Sequence, residues 1–290
     1  MKKILLQLDS DRTASVFDAV TAYDAGADVL LQHGSVEPAE VSAIVYGAMF
    51  TRGPADLKSS AIFVGGTDVA TGEVMLKEVC GSFFGPVRVS VMLDANGCNT
   101  TATAAVVTLL SAGDLRGKKA VVLAGTGPVG RRAAAVLAKE GADVVVAETL
   151  PTETMERAKA ACATIEERFG VQVAAAAAPD VEATRRVLEG AEAALCTGAA
   201  GLQLIPETLW RDHPTLRVLG DVNAVPPLGL EGTNATWDGK VVDGKTIFGA
   251  LAIGNLKMKV HRRSIVRLFE QNDLVLDAEE IFALAKELAG

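Results

Sequence analysis

Residues 119–130 read Lys Ala Val Val Leu Ala Gly Thr Gly Pro Val Gly, an apolar run that enters three glycines, Gly125, Gly127 and Gly130, at GxGxxG spacing. Few folds admit that arrangement. Where a strand turns straight into a helix, the first glycine allows the bend, the second lets a diphosphate approach the backbone, and the third lets helix and strand pack closely. The free N–H groups and dipole of the helix N-terminus then favour an anion. Spacing alone is weak evidence, but the surroundings strengthen it. Residues 131–139 (RRAAAVLAK) read as a helix, Gly141-Ala142-Asp143 turns, and residues 144–147 form a second strand ending at Glu148, 18 positions after Gly130. A carboxylate there accepts hydrogen bonds from the adenosine ribose hydroxyls and repels a 2′-phosphate. The segment predicts a Rossmann-type dinucleotide site built from Gly125, Thr126, Gly127, Pro128, Val129, Gly130, Arg131 and Glu148. The bland alternative is a βα turn that glycine merely tightens.

The rest of the chain repeats the strand–helix alternation, the signature of βα units. Strands are expected at 4–8, 28–32, 61–64 and 87–93, with helices at 15–25, 38–49 and 69–81; Ser15 reads as an N-cap, with Asp18 completing an approximate capping box. A helix at 99–111 leads to the polar junction 112–118. Beyond it lie helix 152–169, strand 171–174, helix 180–188, strand 193–196, a short helix 206–211 and strand 216–219, then helices 250–270 and 277–288. The expected fold is α/β in two domains: an N-terminal doubly wound parallel domain, residues 1–112 with 255–290 packing back, and a Rossmann-type domain, residues 113–254, with a cleft between them. With 290 residues, 49% hydrophobic but only 4% aromatic, the interior must be mainly Ala, Val and Leu, which suits helices on parallel sheets.

Net charge −8 argues against a nucleic-acid surface. Cys80, Cys98, Cys162 and Cys196 are scattered, and His33, His213 and His261 are the only imidazoles, so neither a metal site nor a disulfide framework is expected. The apolar start is too short for a signal peptide, and no segment is long enough to span a bilayer, so a soluble cytoplasmic protein is expected.

Ligands of open parallel sheets lie beyond the carboxyl ends of the strands. Four such loops stand out. Thr197, Gly198 and Ala199 are small enough to let a dinucleotide lie close to the backbone. Asp221 and Asn223 can line the nicotinamide side of a cleft or simply hold their proline-stiffened loop. Asp68, after Gly65-Gly66-Thr67, can cap a helix or touch substrate. Asn96, Asn99, Thr100 and Thr101 follow another strand, and capping by Asn99 or Thr100 competes there with a ligand role. Near the C-terminus Lys257 and His261 are spaced i, i+4 on one helix face. A surface lysine is the ordinary reading of Lys257, and a substrate-orienting one the alternative.

Ser15-Val16-Phe17-Asp18, Thr51-Arg52-Gly53, residues 61–66, Phe83-Phe84-Gly85-Pro86, residues 96–101, the Gly125–Gly130 turn, residues 223–229 and residues 248–257 together resemble the bacterial NAD(P)-dependent methylene-tetrahydromethanopterin/methylene-tetrahydrofolate dehydrogenases. The resemblance spans nearly the whole chain. It implies hydride transfer from the one-carbon bridge of a reduced pterin, a pterin held in the interdomain cleft, and a homo-oligomer, trimer or hexamer. It also implies that Asp18, Thr101 and Lys257 surround the reacting carbon, with Asn96, Asn99, Thr100, Asp221 and Asn223 nearby. NADP-specific members of the family carry an Arg–Lys pair where this chain has Glu148-Thr149, which points to NAD, with NADP the weaker alternative; Arg131 and Arg132 can partly offset the repulsion of a 2′-phosphate. The rival reading is a non-catalytic dinucleotide sensor on the same scaffold. Amino- or hydroxy-acid dehydrogenases are disfavoured because no histidine–carboxylate pair is evident for their proton step.

Overall fold

The N-terminal apolar run forms β1 (Ile4–Asp9), an inner strand of a five-stranded sheet with β2 (Val29–His33), β3 (Ser60–Gly65), β4 (Ser90–Leu93) and β12 (Val275–Leu276). The order is β12-β4-β3-β1-β2 and every pair is parallel. All six β3 residues are buried, as expected of a sheet covered on both faces. Leu5, Leu8, Ile62 and Met92 have under 2% of their surface exposed, and each such side chain contributes about 1.5–3 kcal/mol by leaving water. The helices of this unit are α1 (Val16–Asp24), α2 (Val41–Met49), α3 (Val69–Gly81) and α10 (Ala278–Ala289), with the start of α4 (Cys98–Leu110) and the latter part of α9 (Ala250–Leu268). Ser15 caps α1 by accepting from the Asp18 N–H at 3.2 Å.

This is a computed structural model that describes residues 1–150 and 154–289. The chain divides into unit 1, Met1–Thr100 with Met258–Leu288, and unit 2, Thr101–Lys257, the boundaries falling inside α4 and α9.

Unit 2 contains β5 (Lys119–Leu123), β6 (Asp143–Glu148), β7 (Ala174–Ala177), β8 (Ala193–Cys196), β9 (Val218–Asp221), β10 (Lys240–Val242) and β11 (Lys245–Phe248). Read from β7, the order β7-β6-β5-β8-β9-β11 is the 3-2-1-4-5-6 winding of a dinucleotide-binding sheet. Its helices are α5 (Pro128–Lys139), α6 (Glu156–Phe169), α7 (Val181–Leu188) and the short α8 (Glu207–Trp210). The apolar core behind β8 and β9 gathers Ala194, Ile205, Leu219 and the fully buried Trp210, whose indole N–H donates to Glu231 O at 2.8 Å. No helix among the described residues is long and apolar enough to cross a membrane.

Several expected elements shift. The sheet of unit 2 is mixed rather than wholly parallel, because β10 runs antiparallel to β11 at its edge. Neither that hairpin nor β12 is expected from apolar periodicity. β7 forms over Ala174–Ala177 instead of 171–174, since pairing from Val145↔Ala174 to Glu148↔Ala177 overrides alanine's helical preference. β9 lies two residues beyond the expected 216–219, where Cys196↔Asp221 completes its register. β4 begins only at Ser90, because Phe84 and Val87 close an antiparallel bridge before it. Helix 38–49 opens as a 3₁₀ turn, Pro38–Glu40, before α2. Thr152, the expected start of α6, lies outside the described residues.

Candidate functional site

In an open parallel sheet a crevice forms where neighbouring strands send their connections to opposite faces. In unit 2 that point lies between β5 and β8, and the glycine turn occupies it. The Cβ of any residue at 130 would sit 2.5 Å from Gly125 Cα, so helix and strand meet only through glycine. At Gly127, the N-cap of α5, the same construction meets nothing nearer than Ala124 O at 3.8 Å, which leaves that side of the backbone open to a ligand. Pro128 starts the helix, where its missing N–H costs nothing. These residues fit a diphosphate.

Around the turn most side chains serve the scaffold. Thr197 donates its hydroxyl to Leu123 O at 2.8 Å, tying the β8 loop to the end of β5; Gly198 is half-buried and Ala199 exposed. Asp221 is buried, its Oδ1 accepting from Asn223 N at 2.9 Å and its Oδ2 from Leu230 N at 3.1 Å. Asn223 donates to Pro227 O at 3.1 Å and accepts from Val225 N at 2.8 Å. Of the two readings given to Asp221 and Asn223, this geometry fits loop-holding. Burial pushes the Asp221 carboxyl up, against the pull of backbone N–H groups from Asn223, Leu230 and Gly229. Arg131 is half-buried in the first turn of α5. Arg132 is 1% exposed and donates to Pro128 O at 3.3 Å. The expectation that Arg132 offsets a phosphate charge is therefore corrected: its guanidinium is spent inside the helix turn.

Unit 1 winds β2-β1-β3-β4-β12, the 2-1-3-4-5 order whose crevice lies between β1 and β3. Asp9 ends β1 opposite Gly65, fully buried, and accepts from the N–H groups of Asp11 and Ser15, both at 2.9 Å. Gly66, at φ +99, turns the chain where any side chain would collide with Ser10 Oγ. Asp11 accepts from Thr67 N at 3.1 Å and from its hydroxyl at 2.8 Å. Asp68 caps α3 through Ala70 N at 2.9 Å and the Thr71 hydroxyl at 2.8 Å, and the bonds from Thr71 hold its carboxyl below its ordinary value. Capping is thus the role its contacts fit.

At the end of β4 the buried Asp94 accepts from Asn99 N and Thr100 N at 2.9 Å and from the Thr100 hydroxyl at 2.6 Å. Asn99 in turn donates to Leu93 O at 2.6 Å and Asp277 Oδ1 at 2.8 Å. Both residues are wholly buried, so they brace Asp94 and the start of α4. Asn96 is exposed, with φ 52, and its N–H donates to Gly66 O at 2.7 Å.

Against these loops α9 presents His261, fully buried, with Nε2 3.9 Å from Asp18 Oδ1 and Nδ1 4.0 Å from Asp94 Oδ2. Its ring stacks on Phe63, centroids 5.5 Å apart and planes 14° apart, and Phe17 leans against it at 6.2 Å. The absence of a histidine–carboxylate pair, expected from sequence, is corrected here: one imidazole lies within ion-pair range of two carboxylates. Asp94 and His261 are the residues sequence reading did not select. The available signals were the i, i+4 spacing of His261 from Lys257 and the position of Asp94 directly after a strand. Lys257 is half-buried on α9 one turn before His261, and Thr101 is half-buried on α4 directly after Thr100. Asp18 keeps 16% of its side chain exposed. A partly exposed carboxylate backed by buried charge suits a cation, as the glycine turn suits an anion.

A family model described as methylene-tetrahydromethanopterin dehydrogenase, N-terminal, matches residues 16–96. The bifunctional protein MdtA of Methylorubrum extorquens is 49% identical over 290 residues, covering 99% of each chain. The NAD(P)-dependent methylenetetrahydromethanopterin dehydrogenase of the same organism is 33% identical over 299 residues, covering 100% of this chain and 99% of its own. Among solved structures, the shikimate 5-dehydrogenase of Listeria monocytogenes in complex with shikimate and NAD superposes with TM-score 0.53 at 13% identity, over 99% of this chain and 96% of that one, a likeness of fold alone. Identity sustained over the whole length, in a chain with this two-sheet architecture, makes it a member of the NAD(P)-dependent methylene-tetrahydromethanopterin dehydrogenase family.

Proposed function

We propose that the chain oxidises the one-carbon bridge of 5,10-methylene-tetrahydromethanopterin or methylene-tetrahydrofolate to the methenyl level, with NAD(P)+ as acceptor, in cytoplasmic one-carbon metabolism. The observation that carries this reading is the Asp18–His261–Asp94 cluster at the switch point of unit 1, in a chain whose other sheet holds a diphosphate turn at its own switch point. A C–H bond of the bridge breaks with its electron pair, and the lone pair of the neighbouring pterin nitrogen closes a C=N bond, leaving the positive charge on the product. No proton is removed in that step. Bound NAD(P)+ supplies the hydride acceptor.

What the protein must provide is near-attack geometry and a field favouring the cation. Asp18 is the carboxylate that stabilises it. His261, buried beside Asp18 and Asp94, fixes the charge balance behind that carboxylate rather than serving as a base toward substrate. Lys257 orients a pterin oxygen, Thr101 contributes a hydroxyl and Asn96 an exposed amide. Gly125, Gly127 and Gly130 hold the diphosphate. Family resemblance supports a homo-oligomer, and the exposed, mutually packed Tyr46, Phe50 and Phe84 in unit 1 are apolar surface of the kind such contacts cover.

The test is absorbance of the reduced nicotinamide after mixing protein, methylene-pterin and each dinucleotide. Steady production of the reduced form supports the dehydrogenase, and tight dinucleotide binding with no turnover on either pterin favours the sensor instead.

A further inference from the structure

The charge that unit 2 presents at the end of β6 is not the one the sequence suggests. Glu148 stands where an adenosine ribose is read, but only 2% of its side chain is exposed. Its Oε1 accepts from Thr149 N and Leu150 N, both at 2.9 Å. Its Oε2 accepts from the Thr126 hydroxyl at 3.1 Å and pairs with Arg157 Nε at 3.2 Å. A carboxylate offers about four lone-pair sites, and here Oε1 has two donors while Oε2 has one donor and the Arg157 guanidinium beside it. A ribose hydroxyl reaching Glu148 competes with these contacts.

Arg157, in the first turn of α6, is 59% exposed and meets Glu148 through Nε, the inner edge of its guanidinium. The pair uses Nε, so the two Nη atoms remain as further donors on a largely exposed side chain. Backed by a buried anion, the fork is fixed in direction, which is the arrangement that suits phosphate.

We infer that Arg157 is the cofactor-selectivity residue of this chain, binding the 2′-phosphate of NADP+, and that Glu148 is its positioning residue rather than a ribose ligand. The chain therefore favours NADP+ over NAD+. The inference rests on the dinucleotide reading of unit 2 and runs against the expectation that Glu148 selects NAD. Repulsion between Glu148 and a 2′-phosphate is reduced because the Arg157 cation pairs with it and three hydrogen-bond donors share its charge.

Calorimetric titration of the full chain without pterin, using 2′,5′-ADP, 5′-AMP, NADP+ and NAD+, tests it. The wild-type protein binds 2′,5′-ADP at least about tenfold more tightly than 5′-AMP, and Arg157→Met removes that difference while leaving 5′-AMP and NAD+ affinity within about twofold. Arg157→Lys, which keeps the charge but not the fork, falls between them. Equal wild-type affinity for 2′,5′-ADP and 5′-AMP overturns the inference. So does an Arg157→Met protein that loses NAD+ and NADP+ alike, since that marks a structural role. If neither dinucleotide binds the wild type, the dinucleotide reading itself falls. If NAD+ binds without discrimination, only the role of Arg157 does.

Discussion

At the switch point of unit 2 the chain strips side chains away, while at that of unit 1 it crowds them in. Between β5 and β8, glycines at 125 and 130 let strand and helix meet and the one at 127 leaves backbone open to a ligand. Between β1 and β3, Asp9, Asp11 and Asp18 gather beside Gly66, with Asp94 at the next strand and His261 behind. Two doubly wound sheets thus use equivalent topological positions for opposite ends. N–H groups at a helix N-terminus recognise a diphosphate shared by many ligands, whereas placed carboxylates can follow charge that develops on one substrate. The first is a general device, and under the proposed function the second is where specificity and rate are set.

The largest expected effect attacks the glycine side. Gly130→Ala forces a Cβ to 2.5 Å from Gly125 Cα, so titration with NAD+ should show at least about a 100-fold loss of affinity, with a lowered melting temperature. If affinity survives, the turn is not the diphosphate site and the contrast collapses. Next comes the carboxylate side. Asp18→Asn keeps size and shape but removes the charge, and stopped-flow traces should show hydride transfer slowed by about 100-fold with 5′-AMP affinity unchanged. A variant that turns over normally would leave unit 1 without an electrostatic role.

The smallest effect separates a carboxylate that holds structure from one that does chemistry. Burial raises the Asp221 carboxyl above its unfolded value, so its contribution to stability is present in full below the ordinary carboxylate range and is lost as pH climbs through the raised value. In thermal melts from about pH 4 to about pH 7, Asp221→Asn should therefore gain on the wild type as pH rises. A variant that instead falls behind would mean that the backbone donors of Asn223, Leu230 and Gly229 outweigh burial.

Much of this was legible from local pattern. The strand, glycines and helix of residues 119–139 announce themselves because all their constraints lie within one βα unit. Ser15 and Asp68 likewise reveal their caps within three residues. The β10–β11 hairpin was equally local: Asp243-Gly244, at φ 48 and 75, is a two-residue hairpin pair between Val242 and Lys245. It is hidden only from a search for apolar alternation. The His261 cluster is different in kind. Asp18, Asp94 and His261 meet only after β1, β3 and β4 have aligned, and no spacing rule connects residues so far apart. Glu148 shows a third limit, because its position was readable while its engagement by Thr126, Thr149, Leu150 and Arg157 was not.

β12 is only two residues long, yet it brings the last part of the chain onto β4. Ser90 Oγ donates to Gln271 O at 2.8 Å and accepts from Leu274 N at 3.1 Å, Asn272 reaches Arg88 O at 2.9 Å, and Asp277 accepts from Asn99. Apart from two residues after Leu288, unit 2 is the single stretch Thr101–Lys257, whereas unit 1 needs Met258–Leu288 to be whole. On a ribosome, then, the half that is synthesised first finishes last. Its acidic loops wait with an unpaired β4 edge until Met258–Leu288 emerges, so removing β12 and α10 should damage the N-terminal sheet before the nucleotide fold.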